Sequence, residues 1–432
     1  MAQTLHCRPN LEDRLIFWSL ALSYPIFMVG GFYVLGSVLG WLLLLVFLFR
    51  GYLLDLGDIS KAFKQVSPVI WFWCVSMLVM LVALLVAHLE RQLGMGQTIK
   101  STFGWAKGWA LMALFPLLGA MLKVKPELVS RACCIAAGSA MPFFFVGVLL
   151  YLIGHSGFVF TSPFKFLGGP GEVFAVTLFG INPETGLPRW QFQAPWAPAA
   201  GLLSCFYLVM VLQEKSVFYR SMGIAGVITM CLFCQSRAGW IIFFAIIPIM
   251  VCLGEIKNPV SWLILGVVIP AIVLLGQPLI DLVMQSYQDI KDARPGSTRV
   301  RELLATIALQ RWWDEAPIWG HGVVESGPKI VEFMPIGSHH SWYGLLFVKG
   351  IVGLLALALP LLLTLLSLLV LAQFRSVART ALALVVIMIA YSFFENLEIL
   401  AYMYWPALFW IGMAFRPKEN SEQSAKGQGT PV

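Results

Sequence analysis

Three groups of residues in this chain have types and spacings that chemistry could use. The first is Arg237, in Cys234-Gln-Ser-Arg-Ala-Gly-Trp240, between two apolar stretches. The second is the pair Arg299 and Arg301. The third is Gly337-Ser-His-His-Ser-Trp-Tyr-Gly344, where two of the six histidines, His339 and His340, stand side by side. A guanidinium binds phosphate or diphosphate through parallel N–H donors. A neutral imidazole, with a pKa of about 6.5, can take a hydroxyl proton at physiological pH. Each group also has an ordinary reading. Arg237 could snorkel to a headgroup region, the second pair could be solvated, and the histidines could belong to an interfacial belt with Trp342 and Tyr343.

Other polar residues carry weaker signals. His321, in Gly320-His-Gly322, reads as part of a turn, and His88 with Glu90 as a helix end. Lys349 falls more than a turn inside an apolar segment, where it could snorkel or pair. Glu395 and Glu398 fit either substrate contact or helix capping. The chain has no phosphate-binding Gly-Lys-Ser/Thr loop, no His-Glu-x-x-His and no Gly-x-Ser-x-Gly. Nucleotide hydrolysis and zinc proteolysis therefore have no motif to stand on.

The elements that position these groups follow from composition. The chain is 59% hydrophobic and 12% charged over 432 residues. Soluble domains average about 25% charged residues, so this chain cannot cover a globular surface with polar side chains. It reads as a polytopic membrane protein. A crossing helix needs roughly 20 mainly apolar residues. On that ruler the expected fold is all-α, with about twelve transmembrane helices: 14–31, 32–50, 67–89, 104–122, 128–153, 196–213, 219–235, 238–254, 259–277, 341–372, 377–393 and 397–415. They form a single transmembrane domain over 1–416, with a disordered polar tail at 417–432. The first apolar stretch lacks a convincing cleavage site and reads as a retained span.

Lys and Arg in the short loops set the orientation. With the amino terminus in the cytoplasm, Arg50, Lys123, Lys125, Arg131, Lys215, Arg375, Arg379 and Arg416 all fall inside. The cytoplasmic segments then carry the whole net charge of +7, and the external segments balance. The basic excess is topological and does not call for nucleic acid. Two external segments, 154–195 and 278–340, are too long to be simple connectors. The first is rich in Gly, Pro and aromatics. The second contains an expected amphipathic helix, Thr298 to Trp313, with Leu304, Ile307, Ala308 and Trp312 on one face, Ser297 or Thr298 as its cap, Glu302 in its first turn and Pro317 beyond its end. Arg299 and Arg301 at the start of such a helix point about 200° apart, so only one can line a given pocket. Cys74, Cys133, Cys134, Cys205, Cys231, Cys234 and Cys252 all fall in spans, where packing is the expected role, with Cys7 at the cytoplasmic terminus.

Within 299–355 the order of motifs resembles a known family. Arg301-Glu-Leu-Leu-Ala-Thr-Ile-Ala-Leu-Gln is followed by Ala316-Pro-Ile-Trp-Gly-His-Gly322. Then comes His339-His-Ser-Trp-Tyr-Gly-Leu-Leu-Phe-Val-Lys-Gly-Ile-Val-Gly353. This is similar to the bacterial O-antigen ligase and Wzy-type polymerase superfamily. That family shows an Arg-led helix, a Pro-x-x-Gly-x-Gly turn, a His-Asn-x-x-Leu entry and a Gly-x-x-Gly span. His339 aligns with the family's histidine, and His340 stands where Asn is common.

The resemblance implies a GT-C-like glycosyltransferase of the bacterial inner membrane with its active site facing the periplasm. It would transfer a glycan from an undecaprenyl diphosphate carrier to an acceptor hydroxyl, with no metal or other cofactor. The acceptor would be lipid A-core for a ligase or the growing polysaccharide for a polymerase, and membrane lipids would surround the site. Arg237 and Arg301, with Arg299 as the alternative to the latter, would hold the diphosphate. His339 or His340 would act on the acceptor hydroxyl. A polysaccharide or lipid transporter is the rival from another class. Transporters concentrate ionisable groups near the midplane, whereas this chain keeps them at the outer face.

Overall fold

A computed structural model of the chain describes residues 10–54, 56–182, 186–254 and 295–417. The expected span 259–277, Cys7 and the tail from 418 lie outside the described residues. The fold is mostly helical, and among the described residues six helical stretches are long and apolar enough to cross a membrane: Phe32–Arg50, Pro68–Glu90, Pro126–Leu152, Arg237–Gly254, Ser341–Leu371 and Leu397–Ala414. Three shorter apolar helices accompany them: Ala197–Val211, Val217–Phe233 and Ser376–Tyr391. Leu45, Phe49, Leu78, Phe145, Phe244 and Leu366 lie exposed on these elements. Such a surface is favourable only against lipid.

In chain order the helices are α1 (Leu11–Ala21), α2 (Ser23–Met28), α3 (Phe32–Leu54), α4 (Leu56–Gln65), α5 (Pro68–Glu90), α6 (Met95–Lys107), α7 (Leu111–Met121), α8 (Pro126–Gly138) and α9 (Ala140–Leu152). After the first long loop come α10 (Ala197–Val211), α11 (Val217–Phe233) and α12 (Arg237–Gly254). The last group is α13 (Pro295–Glu315), α14 (Ser341–Leu371), α15 (Ser376–Tyr391) and α16 (Leu397–Ala414).

Several expected boundaries are corrected. The run 14–31 is two short helices, α1 and α2, broken at Leu22. The run 104–122 begins inside α6, turns at Gly108 and continues as α7. The loop helix is longer than 298–313: it begins at Pro295, so Ser297 and Thr298 lie inside it and Glu302 falls beyond its first turn. Pro suits a first helical position, because its missing N–H would have no partner there. The segment 154–195 has two short 3-10 turns, Pro163–Leu167 and Gly171–Phe174, and no α-helix among its described residues. It carries β1 (Phe158–Thr161) antiparallel to β2 (Ala175–Thr177), and β3 (Phe179–Ile181) antiparallel to β4 (Pro188–Trp190).

Helix α16 is the centre of the bundle, with Tyr402, Tyr404, Trp405 and Trp410 all buried. It crosses α7 at backbone contact. A Cβ on Gly119 would strike the Phe409 carbonyl, and one on Gly412 would strike that of Pro116. Small residues are what allow apolar helices to approach this closely where no hydrophobic effect drives them together.

The charged ends are tied together at one pole. Arg50 pairs with Glu12 at 3.1 Å, Arg131 with Glu214 at 2.8 Å and Lys215 with Glu127 at 2.9 Å. Arg416 donates to the carbonyls of Gly119 and Val124 at 2.7 and 2.6 Å. At the other pole the long loops rest on the helix ends. Ser162 donates to the Gly30 carbonyl at 2.8 Å, Lys107 to that of Leu167 at 2.9 Å, and Arg189 to that of Gln235 at 3.3 Å.

The second long loop is locked into a break in α14. Gly350 has φ 61° and ψ −162°, which interrupts the helix. In a continuous helix the N–H groups of Ile351 and Val352 would bond the carbonyls of Phe347 and Val348. Here they donate to Pro317 and Ile318 at 3.0 and 3.3 Å. The freed carbonyls of Phe347 and Val348 accept from His321 and Gly322 at 2.8 and 2.9 Å. The turn 317–322 thus replaces two helical bonds with four, and leaves none of these groups unpaired in an apolar setting.

A Cβ at Gly350 would collide with the Ile318 carbonyl. The backbone region it occupies is essentially restricted to glycine, at a cost of about 1–3 kcal/mol for other residues. Gly350→Ala is therefore expected to lower the thermal midpoint of purified protein in detergent, with a loss of at least that size. An unchanged melting curve would contradict the interlock.

Candidate functional site

At the loop-bearing pole the helices enclose a cavity of about 1080 Å3. Four regions supply most of its lining, beside Tyr33, Leu84 and Trp196. Helix α6 gives Lys100, Ser101, Trp105 and Lys107, followed by Trp109. The 166–172 loop gives Phe166 and Glu172. The segment 322–339 ends in His339, and Lys349 lies on α14. The α15–α16 turn gives Glu395 and Asn396, and α16 gives Glu398.

Packing of α14 against that turn brings these groups together. Ser341 Oγ donates to the Glu395 carbonyl at 2.7 Å and accepts from the Leu397 N–H at 3.0 Å. Trp342 Nε1 donates to Ser392 Oγ at 2.9 Å. Gly337 and Gly344 meet so closely that a Cβ on either has no room. His339, with φ 61°, is turned at the corner where this loop enters α14.

The two adjacent histidines differ in their surroundings. His340 is the N-cap of α14: Nδ1 accepts from the Tyr343 N–H at 3.4 Å, and its ring stacks on Tyr343 with centroids 4.0 Å apart. It does not line the cavity. His339 does, and its half-buried ring makes no hydrogen bond among the described residues. Burial, helped by the nearby Arg301 charge, holds its pKa down to about 4. His339 is thus neutral, with a lone pair available, across the physiological range.

Glu395 is 1% exposed and accepts from Trp196 Nε1 at 2.9 Å. Burial pushes its carboxyl up to about 7, against the pull of Arg301 and of the indole donor. Arg301 is exposed on α13 and is not among the cavity's lining residues, yet its charge reaches both His339 and Glu395. Arg299 is exposed on the same helix. Because α13 starts at Pro295, both arginines lie beyond its first turn. The expectation that they stand at the start of the helix is corrected accordingly.

Arg237 opens α12 and is half-buried. It is not among the cavity's lining residues. The preceding Ser236 packs on Gly201 of α10 near the Tyr391 hydroxyl. That contact lies at the same pole as Glu395, whose N–H bonds the Tyr391 carbonyl at 2.8 Å.

His321 is structural. Nδ1 meets the Phe347 carbonyl at 3.0 Å, Nε2 meets Glu315 Oε2 at 2.8 Å, and the ring stacks on Phe347 at 4.2 Å. Arg311 binds both Glu315 and Glu325 at 2.6 to 2.9 Å. Arg311 and His321 together hold the Glu315 carboxyl down to about 2. This network fastens the end of α13 to α14.

Sequence reasoning read Glu395 and Glu398 mainly as caps, and missed Lys100 and Lys107 because α6 was not foreseen. The signal was present. Met95 and Ile99 are exposed and away from the cavity, while Gln97, Lys100, Ser101 and Gly104 line it, with the exposed Phe103 at its edge. That is the pattern of an interfacial amphipathic helix. The seven described cysteines are free thiols, and no cluster of three or more His, Cys, Asp or Glu among the described residues could hold a metal ion.

No protein-family model matches the chain, and no curated protein matches it.

The Glu395 shift has a measurable consequence. Its folded pKa of about 7 lies above the ordinary 4.5. The stability linked to its protonation is fully present below the unfolded value and is lost as pH rises through about 7. Glu395→Gln keeps an acceptor for Trp196 but removes the buried charge. It is expected to be more stable than wild type at pH 8, by on the order of 2–3 kcal/mol, and to show no gain at pH 4.5. Thermal melts at the two pH values check this, and equal shifts at both would contradict it.

Proposed function

We propose that this chain is a metal-independent, inverting glycosyltransferase of the bacterial inner membrane. It moves a glycan from undecaprenyl diphosphate to an acceptor sugar hydroxyl on lipid A-core at the periplasmic face. On this reading the chain has the twelve-span layout expected from its sequence and a GT-C-like fold. The pole of tied charges faces the cytoplasm, and the cavity pole faces the periplasm. The reading rests on one observation: a large cavity is lined by the neutral His339, which makes no hydrogen bond among the described residues and lies within reach of the Arg301 charge. It also agrees with the ordered motifs over 299–355.

In the reaction the acceptor oxygen attacks the anomeric carbon of the donor sugar. The bond from that carbon to the diphosphate oxygen breaks, and the diphosphate leaves with the electron pair. His339 takes the acceptor proton. Arg301 stabilises the departing charge, with Arg237 as the second cation and Arg299 as the alternative to Arg301. A polymerase would use the same chemistry with the growing polysaccharide as acceptor. Transport is a second reading, favoured by the broken α14, since discontinuous helices line transporter sites.

In proteoliposomes with a lipid-linked glycan and an acceptor, His339→Ala is expected to lower the rate by about 10²–10⁴-fold. Arg301→Ala and Arg237→Ala are expected to weaken use of the donor, and Arg299→Ala and His340→Ala to have smaller effects. If folded His339→Ala and Arg237→Ala proteins remain fully active, the assignment is wrong. Flipping of the lipid without glycan transfer would favour transport. A deletion strain should accumulate unattached polymer on its carrier; single repeats on lipid A would instead indicate a polymerase.

A further inference from the structure

The floor of the cavity holds a charged group that the transfer reaction does not use. Lys349 is 4% exposed and lies eight residues into α14, about 12 Å below its start at 1.5 Å per residue. It lines the cavity, and it has no hydrogen bond or ion pair among the described residues. Its position is imposed by the interlock, because it directly precedes the break at Gly350 and a Cβ on Gly320 would touch its backbone. An ammonium left this way is costly unless something pairs with it.

The groups around it argue against an anion. The charges that face Lys349 are Glu398, which also lines the cavity, and His88, whose two ring nitrogens meet the Leu84 carbonyl at 2.8 Å and Ser101 Oγ at 2.9 Å. Glu398 Oε2 has no hydrogen-bond partner among the described residues. The buried Glu395 is close by in sequence and lines the same cavity. The lining sets three lysines, Lys100, Lys107 and Lys349, against three carboxyl groups, Glu172, Glu395 and Glu398, and such a balance is not a trap for phosphate. It places donors beside acceptors with a gap between them. A sugar fills such a gap, because each hydroxyl both accepts from an ammonium and donates to a carboxylate. Trp105 and Trp109 in the same cavity supply apolar faces for the ring carbons.

We infer that Lys349 and Glu398, with Asn396, form a hydroxyl-recognising subsite for a sugar ring in the cavity that His339 also lines. It deepens the reading of this cavity as a glycan site and rests on it. In this subsite Lys349 is a binding residue and takes no part in bond breaking.

The test uses the purified full chain in nanodiscs, with tryptophan fluorescence as the readout and two probes, a panel of methyl hexopyranosides and sodium pyrophosphate. Saturable quenching by at least one hexoside is expected. Its apparent Kd should rise at least tenfold in Lys349→Met and in Glu398→Gln, both first shown to elute as folded protein. Any pyrophosphate response should survive Lys349→Met. If pyrophosphate competes with the hexoside and depends on Lys349, the floor is an anion site and the inference is overturned. A folded wild-type protein that binds no hexoside overturns it too. The transfer assay separates this inference from the reaction proposed above. Hexoside binding that depends on Lys349 in a protein without transferase activity keeps the subsite and removes that reaction. Transfer with an acceptor KM unmoved by Lys349→Met keeps the reaction and removes the subsite.

Discussion

The structure depends on the exchange of backbone hydrogen bonds between the 317–322 turn and the break in α14. In an apolar surrounding every N–H and C=O must find a partner inside the protein. A helix can break there only if another piece of chain supplies what the break removes. Pro317, Ile318, His321 and Gly322 supply it, to the carbonyls and N–H groups on either side of Gly350. That single arrangement anchors the long loop, aims Lys349 into the cavity and brings the end of α13 onto α14. The His321–Glu315–Arg311 network then fastens that same end of α13.

The rest of the site follows from where those anchored pieces end. The loop leaves the interlock, passes through the contact of Gly337 with Gly344, and re-enters the bundle at His339 and His340. One histidine is used up as the cap of α14 and the other is left facing the cavity. Neighbouring residues of identical type therefore acquire different chemical standing. The turn after α15 meets them from the opposite side and contributes Glu395, whose burial makes it titrate near neutral pH.

The two poles of the bundle show a parallel division. At one, basic side chains neutralise carboxylates and terminal carbonyls in short bonds, such as Arg131 with Glu214 and Arg416 with Val124. At the other, ionisable groups such as His339 and Lys349 have no such bonds among the described residues and line an open volume. Fully paired charges rigidify a structure, whereas buried charges held without partners are where ligand chemistry is expected.

Much of this was legible in the chain of 432 residues. Its apolar fraction requires lipid around the helices, since so few charged groups cannot face water over so large a surface. The placement of Lys and Arg separates the two poles, because charges in short loops stay on one side of a membrane. The glycines and the paired histidines at 317–353 mark the site, because turns and tight crossings need those residue types. Local pattern failed where contacts between distant segments decide. Leu22 and Gly108 interrupt runs that look continuous, and the strands at 158–190 form only by pairing with one another. Which histidine faces the cavity, that Glu395 is buried among apolar side chains, and that Lys349 lacks a partner are properties of packing. They depend on which side chains meet across hundreds of residues, and only the tertiary structure decides that.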